Sequence, residues 1–142
     1  MAAVVGMATA LQENVCNIEG HRQLLLKLEE TLIQKLKEYN LDFIQNGNRS
    51  HLPGIVNLSF KGQNGELILH RMDLMGCCIS TGSACDSVNN QISHVIKAIQ
   101  VPKEYAEGTI RISFGKYNTL NDAADIATMI NSIINVGLQK QG

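Results

Sequence analysis

The sequence is poor in aromatic residues, with no tryptophan and an aromatic fraction of only 4%. Aromatic side chains provide the surfaces on which single-stranded nucleic acids stack their bases, so a binding platform of that kind is not expected. The charges are also balanced, because 12 basic residues face 13 acidic ones and leave a formal charge of −1. Since binding to nucleic-acid phosphates calls for a basic surface, the composition argues against a nucleic-acid partner.

Long hydrophobic runs are lacking as well, and no window approaches the roughly 18 uninterrupted apolar residues of a membrane-spanning helix. The first charged residue is Glu13, whereas a secretory signal peptide carries Lys or Arg ahead of its apolar stretch. We therefore expect a cytoplasmic protein without a membrane partner.

The four cysteines are Cys16, Cys77, Cys78 and Cys85, too few and too unevenly spaced for the disulfide framework of a secreted protein. They also lack the paired Cys-x2-Cys spacing of zinc sites, and the adjacent Cys77 and Cys78 would point to opposite faces of a predicted strand. The sequence thus predicts no metal site. In a reducing compartment each thiol is either a small buried side chain or a reactive group.

The features that are present are typical of one globular domain. Its 142 residues are 44% apolar and 18% charged, and a chain of this length can bury roughly 70% of its unfolded surface. A stripe of leucines at helical spacing from Leu25 to Leu36 predicts a helix over about residues 5–38. The sequence predicts either one long helix that continues through Gly20 or two shorter helices divided there. We expect its charged residues to form a solvated face: Glu29, Glu30, Lys35 and Lys37.

The rest of the pattern alternates between strands and helices without a regular βαβ repeat. The order α-β-β-α-β-α-β-α favours an α/β (α+β) fold with a small, mostly antiparallel sheet and helices packed on it. The long first helix is an unusual way for a fold to begin, which indicates that a preceding segment has been removed. The predicted strands lie near residues 42–45, 55–60, 77–80 and 109–114, and the further helices near 66–75, 93–100 and from 121 or 122 onward.

The segment from residue 80 to 91 is the first candidate site. It follows a predicted strand and precedes a predicted helix, and Gly82, Ser83 and Ala84 place no bulk beside the thiol of Cys85. A cysteine on such a loop can be exposed and mobile, as a nucleophile that carries an atom between sites must be. The alternative is a cysteine that merely lies in a surface loop. The histidines are scattered and predict no Cys–His pair.

Arg111, at the centre of the last predicted strand, is the second candidate. If Ile110 and Ile112 face the core, Arg111 faces the opposite side together with Thr109 and Ser113. An arginine in this position can offer its planar guanidinium to the carboxylate of a substrate. The alternative is a structural salt bridge.

Together these residues resemble the C-terminal part of a NifS-like cysteine desulfurase. The most specific feature is the Gly-Ser-Ala-Cys sequence that ends at Cys85, followed at the family's spacing by Ile-Arg-Ile-Ser-Phe-Gly around Arg111. The similarity extends over essentially the whole chain. The matching stretches are residues 2–8, 52–60, 80–87, 93–98 and 109–115.

The resemblance implies a pyridoxal-phosphate (PLP) enzyme of the aminotransferase fold that converts L-cysteine to L-alanine. Cys85 falls on the position of the nucleophile that retains the sulfur as a persulfide, and Arg111 on the arginine that binds the substrate carboxylate. The implied partners are sulfur acceptors, such as an iron–sulfur scaffold protein or a tRNA-thiolation relay. For the full-length enzyme the resemblance implies a homodimer.

The chain departs from the family pattern in two respects. Thr81 replaces the second Ser of the usual Ser-Ser-Gly-Ser-Ala-Cys motif, which is a mild change. The larger departure is that no segment resembles the family's large domain, which supplies the lysine that binds PLP. We therefore expect residues 1–142 to be the small domain alone, with no PLP bound and no turnover of cysteine.

Other readings remain open at this point. One is a freestanding sulfur-relay or interaction module that accepts sulfur on Cys85 without PLP chemistry, and another is a structural domain with inert cysteines. Within the same superfamily, a selenocysteine lyase or a desulfurase dedicated to DNA sulfur modification would share these residues.

Overall fold

The computed structural model describes residues 1–47, 51–81 and 92–138, with side chains up to residue 135. The helices are α1 (Ala2–Cys16), α2 (Ile18–Glu38), α3 (Gly65–Leu74), α4 (His94–Ala98), α5 (Lys103–Ala106) and α6 (Leu120–Leu138). The strands are β1 (Phe43–Gln45), β2 (Ile55–Phe60), β3 (Ser80–Thr81) and β4 (Thr109–Ser113).

The strands of the described ranges form one antiparallel sheet in the order β1-β2-β4-β3. In the central pair, Val56 lies opposite Ile112 and Leu58 opposite Ile110. Because side chains alternate along a strand, these four point to the same face of the sheet. The small antiparallel sheet predicted from the sequence is confirmed.

One face of this sheet is buried under helices α2 and α6. Helix α2 contributes the leucine stripe predicted from the sequence, and helix α6 contributes small and branched side chains of the same core cluster. The opposite face carries polar side chains on β2 and β4. The core residues of α2 and α6 that are fully buried, at 0% exposure, are Leu28, Leu32, Leu36, Ala123, Ala127 and Ile130.

Helix α1 lies apart from this core, since none of its residues is buried. Apolar side chains such as Val4 and Leu11 are 61% and 63% exposed. An ion pair between Lys116 Nζ and Glu13 Oε1, at 3.0 Å, joins α1 to the loop that precedes α6. No helix in the described ranges is long and apolar enough to cross a membrane.

The predicted first helix is divided in two, at Asn17 and not at Gly20. The backbone of Asn17 departs from the helical conformation, with ψ at 11°, and Asn17 is the N-cap of α2. Its side-chain amide donates to the carbonyl of Glu13 at 2.9 Å. Asparagine side chains compete in this way with helical backbone bonds, which explains the break.

The strand predicted at residues 77–80 is wrong in position, because β3 consists of Ser80 and Thr81. Helix α3 ends in a Schellman motif on Gly76, whose φ is 82°. The amide of Gly76 donates to the carbonyl of Asp73 and that of Cys77 to the carbonyl of Met72, both at 2.9 Å. The backbone at residue 77 therefore caps the helix and does not pair in the sheet.

The burial of Glu29 contradicts the prediction that this residue lies on a solvated helix face. It is 6% exposed and accepts a bond from Gln45 Nε2 at 2.9 Å, while His51 Nε2 lies 2.8 Å from its carboxylate. These partners come from β1 and from the chain that leads into β2. A carboxylate can be buried here because they satisfy its oxygens.

The start of one helix and the presence of another also differ from the prediction. Helix α6 begins at Leu120, just before the predicted Asn121 or Asp122, because Thr119 and Asp122 cap each other's backbone amides at 3.3 and 2.8 Å. This reciprocal pair is a capping box. The short helix α5, which follows Pro102, was not predicted.

We expect Leu32→Ala to lower the free energy of unfolding by about 2–5 kcal/mol, because it leaves a cavity where α2 packs in the core. The matched control is Leu11→Ala on the exposed helix α1, which should change that free energy by less than about 0.5 kcal/mol. Urea unfolding of the chain and the two variants measures both values. Equal effects of the two substitutions would contradict the described packing.

Candidate functional site

The open face of the sheet carries a row of three polar residues that crosses β2, β4 and β3. Arg111 lies in the middle, paired with Asn57 on β2 and with Ser80 on β3. Its Nη2 donates to Ser80 Oγ at 3.4 Å. Arg111 and Ser113 are exposed as the alternation predicted.

Thr109 lies on the same face, as predicted, but it is only 6% exposed. Its hydroxyl donates to the carbonyl of Ala106 at 2.8 Å and lies 2.7 Å from Ser59 Oγ, which is completely buried. The segment that leads from α5 into β4 therefore covers the open face at the end where Thr109 and Ser59 lie. Arg111, one row further along, remains accessible.

The alternative of a structural salt bridge for Arg111 finds no support in the described ranges. No carboxylate there pairs with its guanidinium, although six other ion pairs are formed. Among the described residues, the guanidinium bonds only to Ser80, and its other donors are available on the open face. That arrangement suits the two-point binding of a carboxylate from outside the domain.

A chain of side-chain hydrogen bonds runs beside this row. Asn46 Nδ2 donates to Asn57 Oδ1 at 2.6 Å and to Ser59 Oγ at 2.7 Å. The chain then continues from Ser59 to Thr109 and the Ala106 carbonyl. It links Asn57, the neighbour of Arg111, to the buried part of the sheet.

Cys85, the predicted nucleophile, lies outside the described residues. Thr81, four positions before it in the sequence, ends the strand that pairs with β4 next to Arg111. The described thiols are all free: Cys16 and Cys78 are exposed, and Cys77 is partly buried. In the described ranges, no group of three or more His, Cys, Asp or Glu side chains could hold a metal ion.

The row around Arg111 contains no lysine that would bind PLP. A lysine amine is the group that binds this cofactor, yet strands β2, β3 and β4 contain no lysine. Of the described lysines, Lys35 pairs with Glu38, Lys61 with two carboxylates, and Lys116 with Glu13. None of these ion pairs lies in the row that contains Arg111.

Comparison with known proteins identifies the family. Residues 1–126 match the family model described as aminotransferase class-V. The chain therefore belongs to the class-V aminotransferase family, as the sequence motifs indicated.

The curated relatives are cysteine desulfurases. Cysteine desulfurase IscS of Dictyoglomus turgidum is 36% identical over 135 residues, which cover 94% of this chain and 34% of that protein. Cysteine desulfurase IscS of Methanosarcina thermophila is 32% identical over 92% of this chain and 32% of its own length. The rat cysteine desulfurase is 36% identical over 117 residues, 82% of this chain and 26% of its own. The chain thus spans about a third or less of these relatives.

Solved structures show the same fold. A NifS-like protein superposes with a TM-score of 0.77 at 26% identity, over 94% of this chain and 33% of its own. The NifS-like protein from Rickettsia africae gives a TM-score of 0.74 at 28% identity, over 92% and 33% of the two chains.

Sequence reasoning missed Asn57, which the structure places beside Arg111, and Asn46, which bonds to Asn57. The alternation of β2 was a usable signal for Asn57, because it puts this residue on the face opposite Val56 and Leu58. The contact of Asn57 with Arg111 depends on the register between two strands more than 50 positions apart. That register is not visible in the residue pattern of either strand.

The described cysteines should differ in reactivity. Partial burial, together with the neighbouring Cys78, raises the pKa of the Cys77 thiol, and the thiolate is the reactive form. We expect iodoacetamide to label Cys77 more slowly than the exposed Cys16, with a rate that reaches its half-maximum at a higher pH than for an unstructured cysteine peptide. Peptide mass spectrometry over a pH series measures this. Labelling of Cys77 before Cys16 would contradict the described burial.

Proposed function

We propose that the chain is the small, C-terminal domain of a cysteine desulfurase that converts L-cysteine to L-alanine and keeps the sulfur as a persulfide on Cys85. The observation that carries this proposal is Arg111, whose guanidinium faces the open side of the sheet without a carboxylate partner among the described residues. The names of the curated relatives support the same activity.

Arg111 binds the carboxylate of L-cysteine in this proposal. A guanidinium can make two parallel hydrogen bonds to a carboxylate, which fixes the plane of the substrate as well as its position. Strand β4 holds the arginine rigidly, because Ile110 and Ile112 on either side are buried in the core. The substrate is thereby oriented by a residue whose backbone cannot shift easily.

Cys85 acts as the nucleophile. Its thiolate attacks the sulfur of the substrate, so that a sulfur–sulfur bond forms and the carbon–sulfur bond of cysteine breaks with its electron pair left on the substrate. Protonation of that carbon gives alanine. One L-cysteine and one enzyme thiol thus yield one L-alanine and one enzyme persulfide, with no external oxidant or reductant.

The reaction also needs an electron sink, which PLP supplies in this family. We place that cofactor, its lysine and the large domain in the two thirds of the relatives' length that this chain does not span. Residues 1–142 then form the small domain. A sulfur acceptor, such as an iron–sulfur scaffold protein or a tRNA-thiolation relay, takes the persulfide, and the complete enzyme is a cytoplasmic homodimer.

The test is an enzyme in which this chain replaces the matching third of the Dictyoglomus turgidum relative. We expect Cys85→Ser to abolish alanine formation, because a hydroxyl cannot accept the sulfur. The matched control Cys78→Ser should keep the wild-type rate. Alanine formation by the Cys85→Ser variant would overturn the assignment of the nucleophile.

In the same enzyme we expect Arg111→Lys to raise KM for L-cysteine about tenfold to a hundredfold, because lysine keeps the charge but loses the two-point bond. Arg22→Lys, on the exposed surface of α2, serves as the control and should leave KM unchanged. Steady-state alanine formation gives both constants. A KM for Arg111→Lys within twofold of wild type would remove Arg111 from the substrate site.

A further inference from the structure

We propose that Asn57 is a second donor to the substrate carboxylate beside Arg111, and that Asn46 holds it in the donating orientation. The identity of the ligand rests on the proposed function. The orientation of the amide follows from hydrogen-bond donors and acceptors that are all described in the structure.

The starting point is the carbonyl of Ala106, which can only accept. The hydroxyl of Thr109 therefore gives its single hydrogen to that carbonyl, at 2.8 Å. The contact of 2.7 Å between Thr109 Oγ1 and Ser59 Oγ then requires Ser59 to be the donor. With its only hydrogen used, Ser59 must accept in its remaining bond.

The remaining hydrogen bond of Ser59 determines the orientation of the Asn46 amide. Ser59 Oγ lies 2.7 Å from Asn46 Nδ2, so the nitrogen of the Asn46 amide, and not its oxygen, faces this site. The second hydrogen of the same nitrogen goes to Asn57 Oδ1 at 2.6 Å. Asn57 thus turns its oxygen toward Asn46 and has both hydrogens of its own Nδ2 available. No other described residue accepts from that nitrogen.

Asn57 and Arg111 are direct cross-strand partners. Side chains paired in this way have their Cβ atoms about 4.5–5.5 Å apart on the same face of the sheet. A carboxylate bound by the guanidinium therefore comes within reach of the Asn57 amide. Its two oxygens offer more acceptor positions than the arginine alone can use.

Ser80, on the other side of Arg111, cannot serve in the same way. Its hydroxyl donates to the carbonyl of Thr81 at 3.0 Å and accepts from Arg111 Nη2. Its hydrogen is thus already used. The row is polar on both sides of the arginine but can donate to an anion only on the side of Asn57, and we place the carboxylate there.

The first experiment needs no catalytic activity. Acetate is titrated into the isotopically labelled chain, and side-chain signals are followed by NMR. We expect the Nδ2 signal of Asn57 and the Nε signal of Arg111 to move together, while the exposed amide of Gln12 does not move. Movement of the Arg111 signal without that of Asn57, or no movement of either, would overturn the proposal.

The second experiment uses the assembled enzyme described above. Asn57→Asp keeps the shape of the side chain and the bond from Asn46 but presents a negative oxygen to the substrate. We expect KM for L-cysteine to rise at least tenfold, with kcat changed less than about threefold, because a bond to a charged group is lost and repulsion is added. Ser113→Ala, two positions from Arg111 on the same face, is the matched control and should match wild type.

Asn46 is a positioning residue, and a double-mutant cycle tests that role. We expect Asn46→Ala to raise KM less than Asn57→Ala, and the double variant to be no worse than Asn57→Ala alone, since Asn46 acts only through Asn57. Additive effects would refute this role. An assembled wild-type enzyme that produces no alanine would contradict the proposed function, and the acetate titration would still decide on Asn57.

Discussion

The site depends on the alternation of side chains along β4. Ile110 and Ile112 are buried against the helices, and a strand cannot turn two alternate residues inward without turning the one between them outward. The hydrophobic core thereby fixes the direction of Arg111. A slip of one residue in register would bury the guanidinium and expose two isoleucines, so the packing that stabilises the domain also keeps the site in place.

On the polar face of the sheet, the directions of the side-chain hydrogen bonds are set at the buried end, where Thr109 bonds to Ala106. Ala106 and Thr109 are both 6% exposed and Ser59 is completely buried, so their hydrogen bonds are shielded from water and each donor has a defined acceptor. The direction of each hydrogen bond is then fixed in turn from Ser59 through Asn46 to Asn57, which lies next to the exposed arginine. A buried carbonyl thus determines which atom of the Asn57 amide faces Asn46. The orientation of the Asn57 amide therefore depends on Ala106, to which Asn57 is connected only through other side chains.

Some of these features could be predicted from the sequence because they depend on neighbouring residues. The leucine stripe of α2 and the outward direction of Arg111 follow from local periodicity, and the motif around Cys85 is a contiguous stretch. The burial of Glu29 could not be predicted, because its partners Gln45 and His51 lie 16 and 22 positions away. The shift of β3 has a different cause, since capping by Gly76 uses backbone that the apolar pattern assigned to a strand. The pairing of Asn57 with Arg111 likewise needed the register of the sheet.

In the proposed reaction, sulfur passes to Cys85 while Arg111 holds the substrate. Its most direct test is to locate the sulfur after one turnover. The assembled enzyme is mixed with L-cysteine and no acceptor, trapped with iodoacetamide, and digested for mass spectrometry. We expect one additional sulfur on the peptide that contains Cys85 and none on those with Cys16, Cys77 or Cys78. Additional sulfur on any of these three, with Cys85 unmodified, would contradict it.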